Sequence, residues 1–383
     1  MKHSLLLLLA LIFTPATLVA AEIERIWLTC NSHRPHQIVV NWQSPQPGNS
    51  VVKYGSSPQS LQTIKQDNHT RLHHVTIPVT ERDTIYHYSV QTGTATSSLA
   101  TFKSFPTDVL RVAIVADWQS LPDLSALIKD DVHLLLTAGD NIRNLWQSCG
   151  PGKPECIKPY LKLIGTYPRL FRSTPFMPIL GNHDREAHPR GKQPPQHAVY
   201  DVEATAFRRV FELPDEEWKW YFEFPEFDLR FIALDFNHTS DFGTTWQTCH
   251  PFDRDSAQYK WYERITHANP RHTVTLYNER NASMRSKLGG DWLKLFQRGT
   301  LCVTGFGYFA ERAEVDGLTF YNTSLSGTGT KYPDPHSKFL AGQDSYLLLT
   351  TQRATGTLQA ELKNLRGEVL DLQTFTGRPS RKP

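Results

Sequence analysis

The sequence predicts a β-sandwich over residues 22–107, followed by an α/β domain over residues 108–377. Up to Pro106, short runs of alternating apolar and polar residues recur at regular spacing between turn sequences such as SPQPGNS, as in sandwiches. After Pro106, continuous apolar runs alternate with loops and helical spacing, which is typical of an α/β domain. A chain of 383 residues is also long enough for two domains.

The first segment, residues 1–21, reads MKHSLLLLLALIFTPATLVAA. It has a short basic start, an apolar stretch from Leu5 to Phe13 and small residues before Glu22. This pattern is typical of a secretory signal peptide and is too short for a membrane span. We therefore expect a secreted or periplasmic protein without a membrane-spanning segment.

The charge balance argues against one class of partner. The chain carries 41 Lys and Arg against 38 Asp and Glu, a net charge of +3. Only the C-terminal GRPSRKP is a basic stretch, and we assign residues 378–383 to a basic tail. This favours a small phosphorylated or anionic ligand and argues against nucleic acid. The oligomeric state is not indicated.

The predicted sandwich strands are short β-type runs. Tyr86 and Tyr88 stand two residues apart near the start of one run, as in fibronectin type III-like sandwiches. His73 and His74 are adjacent, so in a strand they point to opposite faces and do not predict a metal site. The runs are IERIWLTC, QIVVNWQS, SVVKYGSS, LHHVTIPVT, TIYHYSVQTG and SLATFKSF.

The five cysteines suit an exported protein but are too few for a disulfide scaffold. Cys149 and Cys156 bracket the turn sequence GPGKPE, and we predict a disulfide between them. Cys249 could compete for either partner, while Cys30 and Cys302 lie in strand-like runs and should be buried thiols.

Polar groups end the apolar strands of the second domain. They are Asp117, Asp140, the segment 182–184, Asn278 and the loop 305–308. In α/β sheets the carboxyl ends of the strands form the ligand site. The strand runs are VLRVAIVAD, DVHLLLTAGDN, PFMPILGNHD, LRFIALDFN, HTVTLYNER and TLCVTGFGY, with SYLLLTTQ, TLQAELKN and EVLDLQTF as antiparallel strands at the end.

AD-x-Q, AGDN and LGNHD, each closing a strand in that order, resemble the calcineurin-like metallophosphoesterases. With the sandwich in front, the chain resembles the purple acid phosphatase branch. The resemblance implies a fibronectin type III-like β-sandwich followed by a four-layer α/β/β/α domain. It also implies metal ligation by Asp117, Asp140 and Asn182, and contact of His183 with the phosphoryl or leaving group, with Asp184 steering its imidazole. A buried His-Asp pair that only holds the loop is the alternative.

Five positions depart from the family's pattern. Phe306 and Tyr308 stand where the family has Gly-His-x-His, and Asn278 stands where another histidine ligand is expected. Gln119 replaces a histidine and Arg143 a tyrosine. Phenylalanine cannot bind a metal, and neutral amides substitute poorly for imidazoles. We therefore predict a single, weakly bound divalent metal, Mg²⁺, Mn²⁺ or Ca²⁺ rather than an iron or zinc pair. The alternative is that no metal binds.

Arg143 supports a further hypothesis, because its position matches a metal ligand. Its guanidinium could replace the charge of one metal and pair with Asp117 or Asp140. The alternative is a surface arginine after a turn. Directly after GDN, the Cys149–Cys156 loop should lie at the rim of the site.

Two function classes fit these features. The first is a secreted, acid phosphatase-like phosphoester hydrolase with an eroded metal site. The second is a catalytically inactive relative that binds an anionic ligand or serves cell-surface interactions. A weaker third possibility is a carbohydrate-binding surface, suggested by the run WKWYFEF at 218–224, although such aromatic runs are more often core.

Overall fold

The computed structural model describes residues 22–191, 194–268, 270–327 and 329–377. The predicted signal peptide and the basic tail lie outside these residues. Within the described ranges, no helix has the length and apolar character needed to cross a membrane.

The N-terminal domain is a six-stranded, sandwich-like domain. Its strands are β1 (Arg25–Thr29), β2 (Gln37–Gly55), β3 (Gln62–Pro78), β4 (Ile85–Thr92), β5 (Ala95–Thr96) and β6 (Ala100–Lys103). The first part of β2 pairs with β1 and the last part with β4, with register shifts between Gln43 and Ser50. The two runs QIVVNWQS and SVVKYGSS are therefore one bent strand, not two, because a bulge accommodates the prolines between them.

One sheet of the second domain contains six strands. They are β7 (Val109–Val115), β8 (Leu134–Thr137), β9 (Phe176–Met177), β17 (Ser345–Gln352), β18 (Thr357–Asn364) and β19 (Val369–Phe375). The order is β19-β18-β17-β7-β8-β9, with β7, β8 and β9 parallel. The last three strands are antiparallel, as the sequence predicts.

The other sheet contains seven strands. They are β10 (Trp220–Phe224), β11 (Leu229–Ala233), β12 (His272–Tyr277), β13 (Leu301–Thr304), β14 (Ala310–Val315), β15 (Leu318–Asn322) and β16 (Ser337–Ala341). Strands β11, β12, β13 and β15 are parallel. Trp220, Phe222 and Phe224 are buried. The run WKWYFEF is thus a core strand, and the carbohydrate-surface idea has no support from it.

The described part of the second domain contains the α-helices α1 (Ser125–Lys129), α2 (Trp146–Cys149), α3 (Lys158–Thr166), α4 (Pro168–Ser173), α5 (Thr205–Val210), α6 (Ala257–Ile265), α7 (Asn281–Ser286) and α8 (Asp291–Phe296). Helices α6 and α8 pack on the seven-stranded sheet through Tyr262 and Trp292. On the other sheet, Tyr346 and Lys363 both donate to Asp130, directly after α1. Since side chains of both sheets share one core, the predicted four-layer arrangement is confirmed.

The sandwich and the second domain share that core. The indole of Trp27 donates to the Val210 carbonyl at 3.0 Å, and Tyr88 donates to the Arg172 carbonyl at 2.8 Å. These two bonds, one buried and one partly buried, fix the sandwich against α5 and α4.

His73 is a satisfied core histidine. Its Nδ1 lies 2.7 Å from Ser50 Oγ and its Nε2 lies 2.9 Å from Ser44 Oγ. The ring stacks on Trp42 with centroids 4.5 Å apart. Burial lowers the pKa of His73 to about 4, so the folded protein keeps this ring neutral.

This burial predicts a specific acid sensitivity. The pKa of His73 is lower in the folded than in the unfolded chain, so the unfolded chain binds more protons as the pH falls. Between pH 7 and pH 5, His73 should therefore reduce the free energy of unfolding by about 2 kcal/mol. In urea titrations, His73→Gln should show a correspondingly smaller loss over this interval. The exposed His36→Gln is the control, and an identical pH dependence in His73→Gln and the wild type would contradict the prediction.

Candidate functional site

Two carboxylates meet where the neighbouring parallel strands β7 and β8 end. The Asp117 amide donates to the Gly139 carbonyl at 3.1 Å, and the Trp118 amide donates to the Asp140 carbonyl at 2.6 Å. Both aspartates have left-handed backbones, with φ of 50° at Asp117 and 56° at Asp140. Such conformations cost ~1–3 kcal/mol and cluster at functional sites, because the surrounding structure must enforce them.

Asp140 connects the loop after β8 to the loop that carries GNHD. Its Oδ1 accepts the backbone amide of His183 at 3.0 Å, and its Oδ2 accepts Gln119 Nε2 at 3.2 Å. A Cβ on Gly181 would lie 2.1 Å from Asp140 Oδ1, so only glycine allows this approach. The glycine of GNHD is thus required for the packing of the site.

Asp117 lacks compensation for its charge. Its side chain is buried, and Oδ2 has no hydrogen-bond partner among the described residues. Burial and then the nearby charge of Asp140 raise its pKa well above the usual range, while a hydrogen bond with Ser324 opposes them. Two buried carboxylates so placed either share a proton or recruit a cation.

Asn182, directly before His183 in the GNHD loop, is also buried. Its side chain is near the phenol of Tyr200, a residue that the sequence analysis missed, and this proximity opposes the rise in the pKa of Tyr200 that burial causes. An isolated antiparallel β-bridge to Glu186 holds Tyr200 near the GNHD loop. No sequence motif predicts that contact. The side-chain oxygen of Asn182 is of the type that can serve as a metal ligand.

The His183 ring is oriented by two neighbours. Nδ1 lies 2.5 Å from the Arg143 carbonyl and 3.4 Å from Glu186 Oε2. Because a carbonyl oxygen can only accept, Nδ1 carries a proton. Nε2 lies 4.0 Å from Asp140 Oδ2. Glu186, which accepts the Trp146 indole at 3.0 Å, is a second residue that the sequence analysis missed.

Asp184 does not contact the His183 ring, so the expected steering role is wrong. Its carboxylate accepts the Gly181 amide at 2.8 Å, Asn141 Nδ2 at 3.0 Å and the Tyr160 hydroxyl at 3.1 Å. Burial, followed by the charge of Asp140, raises the pKa of Asp184 to about 7. Asp184 holds the loop, as in the alternative interpretation.

Tyr308 is a neutral phenol in this arrangement. Its hydroxyl donates to Gln119 Oε1 at 3.3 Å, and Gln119 in turn donates to Asp140. Burial, then the charges of Asp140 and Asp117, raise the pKa of Tyr308 to about 12. Gln119 and Tyr308 therefore form a hydrogen-bonded chain to Asp140, in which the phenol keeps its proton.

Asn278 braces the strand ends. Its Nδ2 donates to the Ala138 carbonyl at 2.8 Å and to the Gly305 carbonyl at 2.5 Å. Both N–H groups are thus committed to backbone oxygens from two other loops. The side chain ties the ends of β8, β12 and β13 together where the family has a histidine ligand.

The described residues at the strand ends offer few atoms that could hold a metal ion. Asp117, Asp140 and Asn182 offer oxygen atoms suited to a hard divalent ion. Asn278 is committed elsewhere, and Phe306 has no ligand atom. Among the described residues, no group of three or more His, Cys, Asp or Glu could hold a metal ion.

The ion pair proposed for Arg143 is not formed. The side chain is exposed, and it makes no ion pair or side-chain hydrogen bond within the described ranges. Only its carbonyl acts at the site, through His183. Arg143 is thus a surface arginine after a turn, and its guanidinium does not compensate Asp117 or Asp140.

Cys149 and Cys156 form a disulfide, and Cys30, Cys249 and Cys302 are free and buried. The disulfide loop packs along the segment 186–188. The Gly152 amide donates to the Ala187 carbonyl at 3.0 Å, and Trp146 reaches Glu186. The loop therefore lies against the segment that directly follows GNHD in the chain.

Two mixed sheets with carboxylates and a GNHD loop at adjoining strand ends define a metal-dependent phosphoesterase fold. The sequence model of calcineurin-like phosphoesterases matches residues 110–305, and that of the purple acid phosphatase N-terminal domain matches residues 23–104. The chain belongs to the calcineurin-like phosphoesterase family and carries the N-terminal domain of purple acid phosphatases. No curated protein matches the chain.

Solved structures share this fold. A purple acid phosphatase, PPD1, from seeds of yellow lupin (Lupinus luteus) superposes with a TM-score of 0.70 and 15% identity, covering 91% of this chain and 73% of that one. PhoD superposes with a TM-score of 0.66 and 11% identity, covering 92% of this chain and 89% of that one. At these identities the similarity concerns the fold.

The brace formed by Asn278 predicts a stability effect. Asn278→Ala leaves two buried carbonyls without donors and should lower the free energy of unfolding by about 1–3 kcal/mol. Urea denaturation measures this change. The control is Asn31→Ala, whose amide bonds to Thr76 and Gln37 are less buried and which should change stability by less than ~0.5 kcal/mol. Equal effects of the two substitutions would show that Asn278 is not a brace.

Proposed function

We propose that this protein is a secreted or periplasmic phosphoester hydrolase that uses one weakly held, oxygen-liganded divalent ion, such as Mg²⁺, Mn²⁺ or Ca²⁺. The observation that carries the proposal is the buried, unpartnered Oδ2 of Asp117 beside Asp140. Burying an unpaired carboxylate is costly, so a cation at this position would be stabilised. Export rests on the signal-peptide pattern of residues 1–21.

Asp117, Asp140 and Asn182 would hold the ion. When bound, a divalent ion in such a site neutralises charge on the phosphoryl oxygens and lowers the pKa of a bound water. Asp140 keeps its two oxygens fixed through the His183 amide and the Gln119 side chain. The substrate can then be oriented by contacts that the protein has already arranged.

His183 is the proton donor in this scheme. The Arg143 carbonyl and Glu186 fix the ring through Nδ1, which leaves Nε2 on the Asp140 side of the imidazole. In its protonated form, Nε2 can donate to the leaving-group oxygen. The His183 side chain retains 22% exposure, so a substrate can reach it.

The second candidate function is ligand binding without catalysis. It is favoured by the two hydrogen bonds that Asn278 donates to backbone carbonyls. With that position braced and Phe306 without a ligand atom, the pocket could bind an anionic ligand without turnover. This inactive relative would serve binding at the cell surface.

The hydrolase proposal predicts different effects at two neighbouring side chains. Asp140→Asn removes a charge that would hold the ion and should lower Mn²⁺-dependent hydrolysis of 4-nitrophenyl phosphate by ~100-fold or more. Tyr308→Phe removes only the hydroxyl that donates to Gln119, and the rate should stay within about fivefold, because a neutral hydrogen bond of ~1 kcal/mol is lost.

Steady-state phosphate release with Mg²⁺, Mn²⁺ or Ca²⁺, and with EDTA, measures both variants. Loss of activity in Tyr308→Phe would mean that Tyr308 is a ligand and that this assignment is wrong. If the wild-type protein binds phosphate but releases no product with any of the three ions, the second function, that of an inactive relative, would be supported and the hydrolase proposal would be wrong.

A further inference from the structure

The substituted loop 305–308 builds an aromatic surface at the mouth of the site. The Phe306 ring lies between two others, with its centroid 5.8 Å from that of Tyr332 and 6.0 Å from that of His238. We call these three rings the aromatic shelf. Tyr332 retains 46% exposure, and Phe306 and His238 are partly exposed, so a ligand can reach the shelf.

The backbone beneath the shelf is fixed. The Phe306 amide donates to Asn322 Oδ1 at 2.8 Å, and Asn322 Nδ2 donates to the Phe309 carbonyl at 2.6 Å. Gly307 has a φ of 87°, and a Cβ there would lie 3.3 Å from the Tyr332 ring. The glycine thus lets Tyr332 lie against the loop backbone, and the shelf is preorganised for a ligand.

The shelf adjoins the carboxylates. Phe306 precedes Tyr308 by two residues, and Tyr308 is hydrogen-bonded through Gln119 to Asp140. A phosphoryl group at Asp140 would therefore place its ester substituent within reach of the shelf.

The shelf also carries a positive charge. The Arg280 guanidinium lies 5.2 Å from the Tyr332 ring centre. Within the described residues this guanidinium makes no ion pair and no hydrogen bond, and the Arg280 backbone amide donates to Glu279. Tyr332 is thus flanked by a cation that can attract an anionic ligand and stack on a planar one.

We propose that the shelf selects phosphomonoesters whose leaving group carries a planar aromatic ring, which stacks on Phe306 and Tyr332 while Arg280 attracts the anion. The inference rests on the proposed function for the place of the phosphoryl group. In this proposal, Phe306 of the aromatic shelf stands where the family has a histidine ligand. Stacking on aromatic side chains tolerates different rings, so a nucleobase and a phenyl group are both candidates.

Calorimetric titration tests the proposal with three probes: phenyl phosphate, adenosine 5′-monophosphate and glycerol 3-phosphate, which has no ring. Each is titrated with Mn²⁺ and, separately, with EDTA. The ring-bearing esters should bind about tenfold more tightly than glycerol 3-phosphate in at least one condition. Tighter binding of the adenosine ester than of the phenyl ester would indicate a nucleobase, and the reverse order would indicate a simple aryl ester.

Substitutions assign the preference to the shelf. Tyr332→Leu keeps an apolar side chain at an exposed position but removes the ring, so it should lose the preference while glycerol 3-phosphate affinity stays unchanged. Phe306→Ala should act in the same way. The matched control is Phe242→Ala, which removes a ring of 39% exposure that packs on Phe252 outside the shelf and should retain the preference.

Phosphate release, measured on the same samples, separates this inference from the hydrolase proposal. Ring-selective binding without turnover supports the shelf and overturns the hydrolase. Turnover with equal affinity for all three probes overturns the shelf alone. Absence of binding by every probe, or a preference that survives Tyr332→Leu and Phe306→Ala, also overturns it.

Discussion

The organisation of the site depends on the buried carboxylate of Asp140. It accepts the His183 amide on one oxygen and Gln119 on the other, and Gln119 continues to Tyr308. Through these bonds it joins the loops that follow β8, β9 and β13. This arrangement requires the close approach of Gly181 to Asp140 and an unfavourable left-handed backbone at Asp140. The packed strands beneath stabilise that backbone conformation.

Hydrogen bonds within the chain hold the strand ends together at the substituted positions. Asn278 ties Ala138 to Gly305, and Asn322 ties Phe306 to Phe309. Hydrogen bonds within the chain thus connect the strand ends. The charge of the Asp117 and Asp140 pair is the one that the proposed cation would balance, and the proposed aromatic shelf would lie beside that cation.

The sequence predicted the sandwich, the parallel strands and the polar strand ends, because alternation, apolar runs and GNHD are local signals. It did not predict the single bent β2, since prolines at a bulge look like a turn. It assigned to Asp184 a role that falls to Glu186 and the Arg143 carbonyl. Contacts that depend on three-dimensional loop geometry, like that of Tyr200 with Asn182, have no sequence signal.

Metal stoichiometry tests the central claim most directly. Purified protein is dialysed extensively, analysed for bound metal, and then titrated with Mn²⁺ by calorimetry. The account predicts no zinc or iron retained and at most one weakly bound Mn²⁺, lost in Asp140→Asn. The triple substitution of Asn278, Phe306 and Tyr308 by histidine, which adds imidazole ligands to the same strand ends, serves as the positive control with tighter metal binding. Two equivalents of zinc or iron that survive dialysis of the wild type would contradict the single-ion site.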